Sequence, residues 1–112
     1  FNYIPTFVAT NSTEALTNTS TAMSVSTAVS TVDSSGGAVT VTLAAGVTGQ
    51  LKTIICTTAG NNITVTPAAT VGSGTTVVLD AAGESVQLLY TGTAWAAVAT
   101  SSFATNIATV IQ

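Results

Sequence analysis

Charge is the scarcest property of this chain. Only 4% of its 112 residues are charged, and these are four acids and the single cation Lys52. The surface of a small soluble domain is normally about a quarter to a third charged. Nucleic-acid binding needs clustered cations to neutralise phosphates, which argues against that class of partner. The composition therefore predicts a surface that identical subunits or a larger assembly largely cover, with a hydrated, threonine-rich monomer as the alternative.

The sequence also contains no histidine. A serine or cysteine nucleophile would therefore lack its ordinary general base. The possible metal ligands are four scattered carboxylates and Cys56, which argues against a zinc site. Asp80 and Glu84 flank one turn and fit either a Ca²⁺ site with backbone carbonyls or, as we favour, a solvated turn. We predict no enzymatic activity, no bound metal and no cofactor.

A single cysteine and the lack of a long apolar run argue against a disulfide-stabilised domain and against a membrane-spanning protein. Cys56 cannot form an intrachain disulfide, and its strand-like surroundings in 50–58 predict a small buried side chain rather than a nucleophile. Mean hydropathy is +0.61, yet no apolar run approaches the roughly 20 residues of a membrane span. We therefore expect no membrane partner. No signal peptide is recognisable, and the chain starts at Phe1 without a methionine, so a processed or cropped N-terminus is possible.

Aromatic residues make up 5% of the chain, and the only tryptophan lies in residues 77–98, VVLDAAGESVQLLYTGTAWAAV. Apolar residues alternate there in three short runs separated by turns at Gly83 and Gly92, which predicts a β-meander. Trp95 and Tyr90 fit either a sugar-stacking platform or, as we favour, a core pair, because Trp95 is the largest apolar group available to a core of Val and Ala.

Further strands are predicted at 21–32, 38–43, 50–58 and 63–66, with Lys52, Ile54 and Cys56 on one face of the third. Turn residues bound each strand, and the turns look too short for crossovers, which favours antiparallel pairing. The sequence thus predicts an all-β fold, a small antiparallel β-sandwich or barrel, jelly-roll-like, of about seven to eight strands.

The two ends of the chain are apolar and fall outside this pattern. We predict an N-terminal arm over 1–20, a β-domain over 21–99 and a C-terminal arm over 100–112. Residues 12–16 suggest one helical turn, and 100–112 fits an extended strand better than a helix. The expected interface anchors are apolar side chains of both arms, namely Phe1, Tyr3, Ile4, Phe7, Val8, Phe103, Ile107, Val110 and Ile111.

Residues 36–98 carry a recognisable pattern: GGAVTVTLAAGVTGQLKTI, then NNITVTP, then TVVLDAAGESVQLLYTGTAWAAV. The pattern resembles the small β-domains of tailed-phage virion proteins, especially those of cyanophage and marine-phage fibres and capsid decoration (cement) proteins. It covers a little over half of the chain and leaves both arms outside. The resemblance implies a non-enzymatic virion component, a homotrimer on the capsid exterior, with the major capsid protein or other virion subunits as partners.

Three functional hypotheses follow. The first is a capsid decoration protein that stabilises a phage head through subunit-bridging contacts of its arms. The second is an extracellular or cell-surface filament or adhesin subunit that assembles by β-strand addition. The third is a carbohydrate-binding fibre domain, which requires Trp95 to be exposed.

Overall fold

The computed structural model describes residues 12–102, which form nine β-strands and no helix. The strands are β1 (Thr13–Leu16), β2 (Ala22–Met23), β3 (Val29–Asp33), β4 (Val39–Leu43), β5 (Leu51–Thr58), β6 (Ile63–Pro67), β7 (Val77–Leu79), β8 (Glu84–Tyr90) and β9 (Trp95–Ser102). The predicted all-β class is confirmed for this range. Within the same residues, no helix is long and apolar enough to span a membrane.

The strands divide between two mixed sheets. The first sheet has the order β1-β3-β5-β8-β9 and the second the order β2-β4-β6-β7. In each sheet the first three strands are parallel to one another. The later strands join antiparallel, β8 and β9 in the first sheet and β7 in the second. The predicted antiparallel sandwich, barrel or jelly roll is therefore wrong in its strand pairing, and neither sheet closes on itself.

The parallel pairing arises because successive strands alternate between the sheets. The connection from β3 to β5 contains β4, a strand of the other sheet, and is therefore long enough for a parallel neighbour. Val29 pairs with Thr53 and Val39 pairs with Ile63, so the same length of chain separates β3 from β5 in the first sheet and β4 from β6 in the second. The chain winds between the sheets through β1–β2, β3–β4 and β5–β6. Strands β7 and β8 then run opposite to their neighbours β6 and β5, and β9 returns to the direction of β5.

One core fills the space between the sheets, and period-two alternation decides which side chains enter it. On β4, Val39, Val41 and Leu43 are buried while the two threonines between them are exposed. On β5, the predicted grouping of Lys52, Ile54 and Cys56 on one face is confirmed, and that face is buried. The other core side chains come from both sheets: Leu16, Met23, Val32, Ile63, Val65, Leu79, Val86, Leu88, Tyr90 and Trp95.

The three strands predicted within 77–98 are present, but they do not form one meander. β8 and β9 form a hairpin, whereas β7 pairs with β6 in the second sheet. Gly83 lies at the crossing from β7 to β8 with φ of 90°, and Gly92 lies in the β8–β9 turn with φ of 111°. Both values fall in the left-handed region that favours glycine, so the turn prediction is confirmed at both places.

Two local predictions near the N-terminal end are wrong. Residues 13–16 form β1, paired with β3, rather than a helical turn. The single strand predicted over 21–32 is instead β2 and β3, separated by a turn at 24–28. Strand β1 thus lies within the predicted N-terminal arm, and β9 extends to Ser102, within the predicted C-terminal arm.

Candidate functional site

The only cationic side chain of the protein lies in the core. The side chain of Lys52 projects inward from β5 and is 0% exposed. Its ammonium donates hydrogen bonds to the carbonyl of Ser24 at 2.7 Å, the carbonyl of Thr27 at 2.9 Å and the Thr27 hydroxyl at 2.6 Å. All three acceptors belong to the β2–β3 turn. This binding explains why the chain leaves the strand conformation between β2 and β3, since the carbonyls of Ser24 and Thr27 turn toward a buried cation instead of a neighbouring strand.

Glu14 on β1 completes the cluster. Its Oε2 lies 3.6 Å from the Lys52 ammonium and accepts hydrogen bonds from the Ser24 amide at 2.8 Å and the Ser30 hydroxyl at 2.6 Å. The Glu14 side chain keeps 20% exposure. Ser30, on β3 between β1 and β5, is fully buried. The cluster therefore links three strands of the first sheet and the β2–β3 turn through charge-assisted hydrogen bonds.

The electrostatics of this cluster indicate a structural role. Burial lowers the pKa of Lys52 below its ordinary value, and the neighbouring Glu14 carboxylate opposes that shift. The ammonium has three hydrogen-bond acceptors and a counter-ion, which is the condition under which a buried charge is tolerated. In the described part of the chain, every buried side-chain nitrogen and oxygen has a hydrogen-bond partner. No buried polar group is left pointing at an empty site.

Trp95 is a core residue, as favoured from the sequence. It is 2% exposed, and its indole N–H donates to the carbonyl of Ala44 at 2.9 Å. Its ring meets that of Tyr90 edge to face, with centroids 5.1 Å apart and an angle of 68°. Such a pair adds stability beyond the area it buries. The ring faces that would stack on a sugar are covered, so the platform required by the carbohydrate hypothesis is not exposed.

Two partly exposed acids, Glu84 and Asp33, accept hydrogen bonds from backbone amides at turns. Glu84 Oε1 accepts hydrogen bonds from the backbone amides of Asp80 at 2.6 Å and Ala81 at 3.0 Å. The hydrogen bond that the backbone N–H of Asp80 donates to Glu84 is the main cause of the lowered pKa of Glu84. Asp33 accepts hydrogen bonds from the side chain and the backbone of Ser35, which lower its pKa. Among residues 12–102, no cluster of three or more acidic, Cys or His side chains could hold a metal ion.

Cys56 is fully buried, as its strand position predicts. Burial is the main cause that raises the pKa of its thiol, and the negative charges of Glu84, Asp33 and Asp80 add to the shift. A nucleophilic cysteine needs the opposite environment, one that lowers its pKa and leaves it accessible. Cys56 therefore acts as a small apolar core residue.

The outward faces of both sheets carry little charge along their central strands, where Asp33 at the end of β3 is the one charged outward residue within 12–102. On the second sheet, Thr40 pairs with Thr64 and Thr42 with Thr66, which places four threonines side by side. On the first sheet, Leu51 is 49% exposed and pairs with Leu89, next to Ala96 on β9. The remaining large exposed apolar side chains in this range are Val47, Val71, Val78 and Val98. These faces and the edge strand β9 are the surfaces available for contact with another protein.

The predicted interface anchors all lie outside residues 12–102, namely Phe1, Tyr3, Ile4, Phe7, Val8, Phe103, Ile107, Val110 and Ile111. They stay predictions. The sequence pattern groups Lys52 with Ile54 and Cys56 on one face of β5, but it does not predict that Lys52 is buried or which residue pairs with it. The available signal was Lys52 alternating with Ile54 and Cys56, because an inward-facing ammonium requires an acid, and Glu14 is one of only four.

Comparisons with known proteins give no relative: no family model, no curated protein and no solved structure matches this chain.

Proposed function

We propose that this protein is a non-enzymatic structural subunit that works by assembling with copies of itself and with a larger particle. The specific form we propose is a decoration protein on the exterior of a phage capsid, a homotrimer that contacts the major capsid protein or other virion subunits. The terminal segments that hold the predicted anchors make the bridging contacts. The sequence resemblance of residues 36–98 to virion β-domains supports the phage assignment.

The observation that carries the assembly proposal is the burial of the only cation. With Lys52 at 0% exposure, the charged side chains at the surface of residues 12–102 are all acidic. The broad outward faces of both sheets then offer threonine, alanine and aliphatic side chains. A surface that lacks interspersed charge of both signs is poorly protected against association. Association of such faces costs little desolvation of charge, which suits a permanent interface.

The mass of the full chain in solution tests the assembly step. Light scattering coupled to size exclusion, over a wide range of protein concentrations, should report a closed oligomer, with a trimer expected. A mass of 11.0 kDa at every concentration would contradict the proposal.

Occupancy on particles tests the decoration role. A chain lacking residues 1–10 should keep its β-sheet circular dichroism but be lost from virions. The control is Val47→Lys, because Val47 is 71% exposed in the loop between β4 and β5 and lies away from both chain ends in sequence. Unchanged occupancy of the shortened chain would count against the arms as anchors.

A filament or adhesin subunit is the second candidate, and the long edge strand β9 favours it. An exposed strand edge is a template for strand addition. Fibres visible by electron microscopy in purified protein, with no capsid present, would support this candidate over the closed oligomer.

A further inference from the structure

Strand β9 presents the longest sheet edge in the described structure. The four edge strands are β1, β2, β7 and β9, and their lengths are 4, 2, 3 and 8 residues. On the side of β9 away from β8, residues 69–71 pair only with Trp95. The Trp95 backbone N–H donates a hydrogen bond to the Ala69 carbonyl, and the Val71 N–H donates one to the Trp95 carbonyl. Among residues 12–102, no strand pairs with that side of β9 beyond Trp95.

This edge lacks most of the devices that prevent strand addition. Natural edges are protected by charge, by proline, by short length or by bulges. The sequence of β9, WAAVATSS, contains no charged residue and no proline. The one such device present is a β-bulge: Gln87 pairs with Ala99 and Leu88 with Ala97, which leaves Val98 of β9 as the extra residue. Val98 is 51% exposed on this edge strand, so an added strand would also bury apolar side-chain surface.

From these features we infer that the open edge of β9 binds the C-terminal segment, residues 103–112, of a second copy of this chain. This inference rests on the proposed function, since it assumes that copies assemble, and it assigns the site of one contact. The segment FATNIATVIQ is uncharged, contains no proline and has the β-branched residues favoured in strands. Backbone hydrogen bonds to the edge supply affinity, and its apolar side chains pack beside Val98.

The turn chemistry explains why the segment pairs with a second copy rather than with its own β9. Folding back onto its own strand requires a tight reversal just after Ser102. The chain makes its reversals into and out of β8 with Gly83 and Gly92, both at positive φ. Residues 103–105, where that reversal would lie, are Phe, Ala and Thr, whereas hairpin turns of this kind favour Gly, Asn or Asp, which tolerate positive φ. Ten extended residues reach up to about 35 Å, which carries the segment to a neighbouring subunit.

Each copy carries one donor segment and one acceptor edge. In the proposed trimer each copy donates its segment to the next copy around the ring, which satisfies both groups in every subunit and closes the assembly. The same pairing without closure generates the open filament of the second candidate. One contact thus accounts for either form, and symmetry decides between them.

Disulfide trapping between two different variants tests the pairing. One preparation carries Val98→Cys and the other carries Val110→Cys; they are mixed and oxidised with glutathione. The expected product is a disulfide-linked pair with one chain of each kind, identified by non-reducing gel and mass spectrometry. The matched control pairs Val47→Cys with Val110→Cys, and wild type monitors the native Cys56 thiol. Failure of the Val98 mixture to exceed the Val47 control would overturn the inference.

The double variant Val98→Cys/Val110→Cys distinguishes the two origins of the segment. An internal disulfide in a single chain, together with no linked pair in the mixture, would show that the segment folds onto its own β9 and would also overturn the inference.

A lysine on the edge gives a second, independent measurement. Val98→Lys adds charge and a long polar side chain to the edge, as natural edge strands do. We expect it to shift the mass of the full chain from oligomer to the 11.0 kDa monomer, whereas Val47→Lys, with the same charge change, leaves the oligomer intact. If wild type and Val98→Lys are equal oligomers, the β9 contact is refuted while the proposed assembly stands. If wild type is itself a monomer, both are refuted.

Discussion

Replacing Lys52 with methionine should be among the most damaging single changes in this protein. The substitution removes three hydrogen bonds from the β2–β3 turn; the Thr27 carbonyl loses its donor, and the Ser24 carbonyl keeps only a long one, from the Thr27 hydroxyl at 3.4 Å. Each buried carbonyl that loses its partner costs about 1–3 kcal/mol. Glu14 also loses its counter-ion but keeps two hydrogen bonds and partial exposure. We expect Lys52→Met to lower the free energy of unfolding by about 3 kcal/mol.

The matched change on the acid should cost less. Glu14→Gln retains an oxygen that accepts a hydrogen bond from the Ser24 amide or the Ser30 hydroxyl, and the Lys52 ammonium keeps its three acceptors. The loss is then mainly that of a partly exposed ion pair, about 1 kcal/mol. In the double variant the two losses should not add, because both residues belong to one network.

Chemical denaturation of the four proteins of this cycle measures these differences, with Leu51→Met as the control because Leu51 lies next to Lys52 on β5 but is 49% exposed. Thermal melting gives a second measure, since about 4–8 °C is lost per kcal/mol in a domain of this size. If Lys52→Met stays within about 0.5 kcal/mol of wild type, as ordinary surface changes do, the cluster does not hold the turn. A larger loss for Glu14→Gln than for Lys52→Met would show that the ion pair, not the carbonyls, dominates.

Three further predictions concern turns and titration. Gly92→Ala should destabilise the protein by about 1–2 kcal/mol, because the backbone at Gly92 has φ of 111° and an added methyl group would lie 2.9 Å from Thr48 Oγ1. Gly74→Ala is the control: an added methyl group there has no atom within 4 Å, so this variant should be neutral in the same denaturation assay. The lowered pKa of Glu84 means that its contribution is present above the ordinary pKa and is lost as pH falls through the folded value, so Glu84→Gln should flatten the acid limb of the stability–pH curve, and an unchanged limb would refute this. The raised pKa of Cys56 means that its contribution is present below pH 9.0 and is lost as pH rises through the folded value; Cys56→Val should remove that alkaline loss, and the native thiol should resist Ellman's reagent until the protein unfolds.

The positions of the strands follow from the sequence, but their partners do not. Alternation of Val39, Val41 and Leu43 with threonines shows that β4 has one buried face, and glycines mark the turns around β8. Alternation specifies which side chains are buried; it does not specify which sheet buries them. A short connection between two strands fits either a hairpin or a passage to the opposite sheet, which is why antiparallel pairing was predicted where β3, β4 and β5 alternate between sheets.

The Lys52 cluster has one feature that the sequence pattern predicts, the face of β5, and one that it does not, the contact with Glu14. Parity along β5 groups Lys52 with Ile54 and Cys56 on one face, and this grouping is confirmed; that the face is buried is a finding of the structure. Glu14 is far away in sequence and lies two strands from Lys52, so its role depends on β1 and β5 both flanking β3 in parallel. When β3 and β5 are predicted to be antiparallel, the sequence pattern does not reveal that Glu14 is the partner of Lys52. The turn at 24–28 is missed for the same reason, because an ammonium from another strand holds it.

The burial of Lys52 also bears on how the protein associates with its partners. Because Lys52 is buried, every charged side chain at the surface of residues 12–102 is acidic. A salt bridge between two identical copies would therefore have no cationic side chain in this range. Like charges on identical subunits repel weakly at long range, and salt screens that repulsion. Contacts between the proposed copies would then come from backbone hydrogen bonds and apolar burial, which screening by salt does not weaken. An unprotected edge such as β9 supplies both, whereas the threonine face of the second sheet, whose backbone groups are already paired, supplies neither to the same degree.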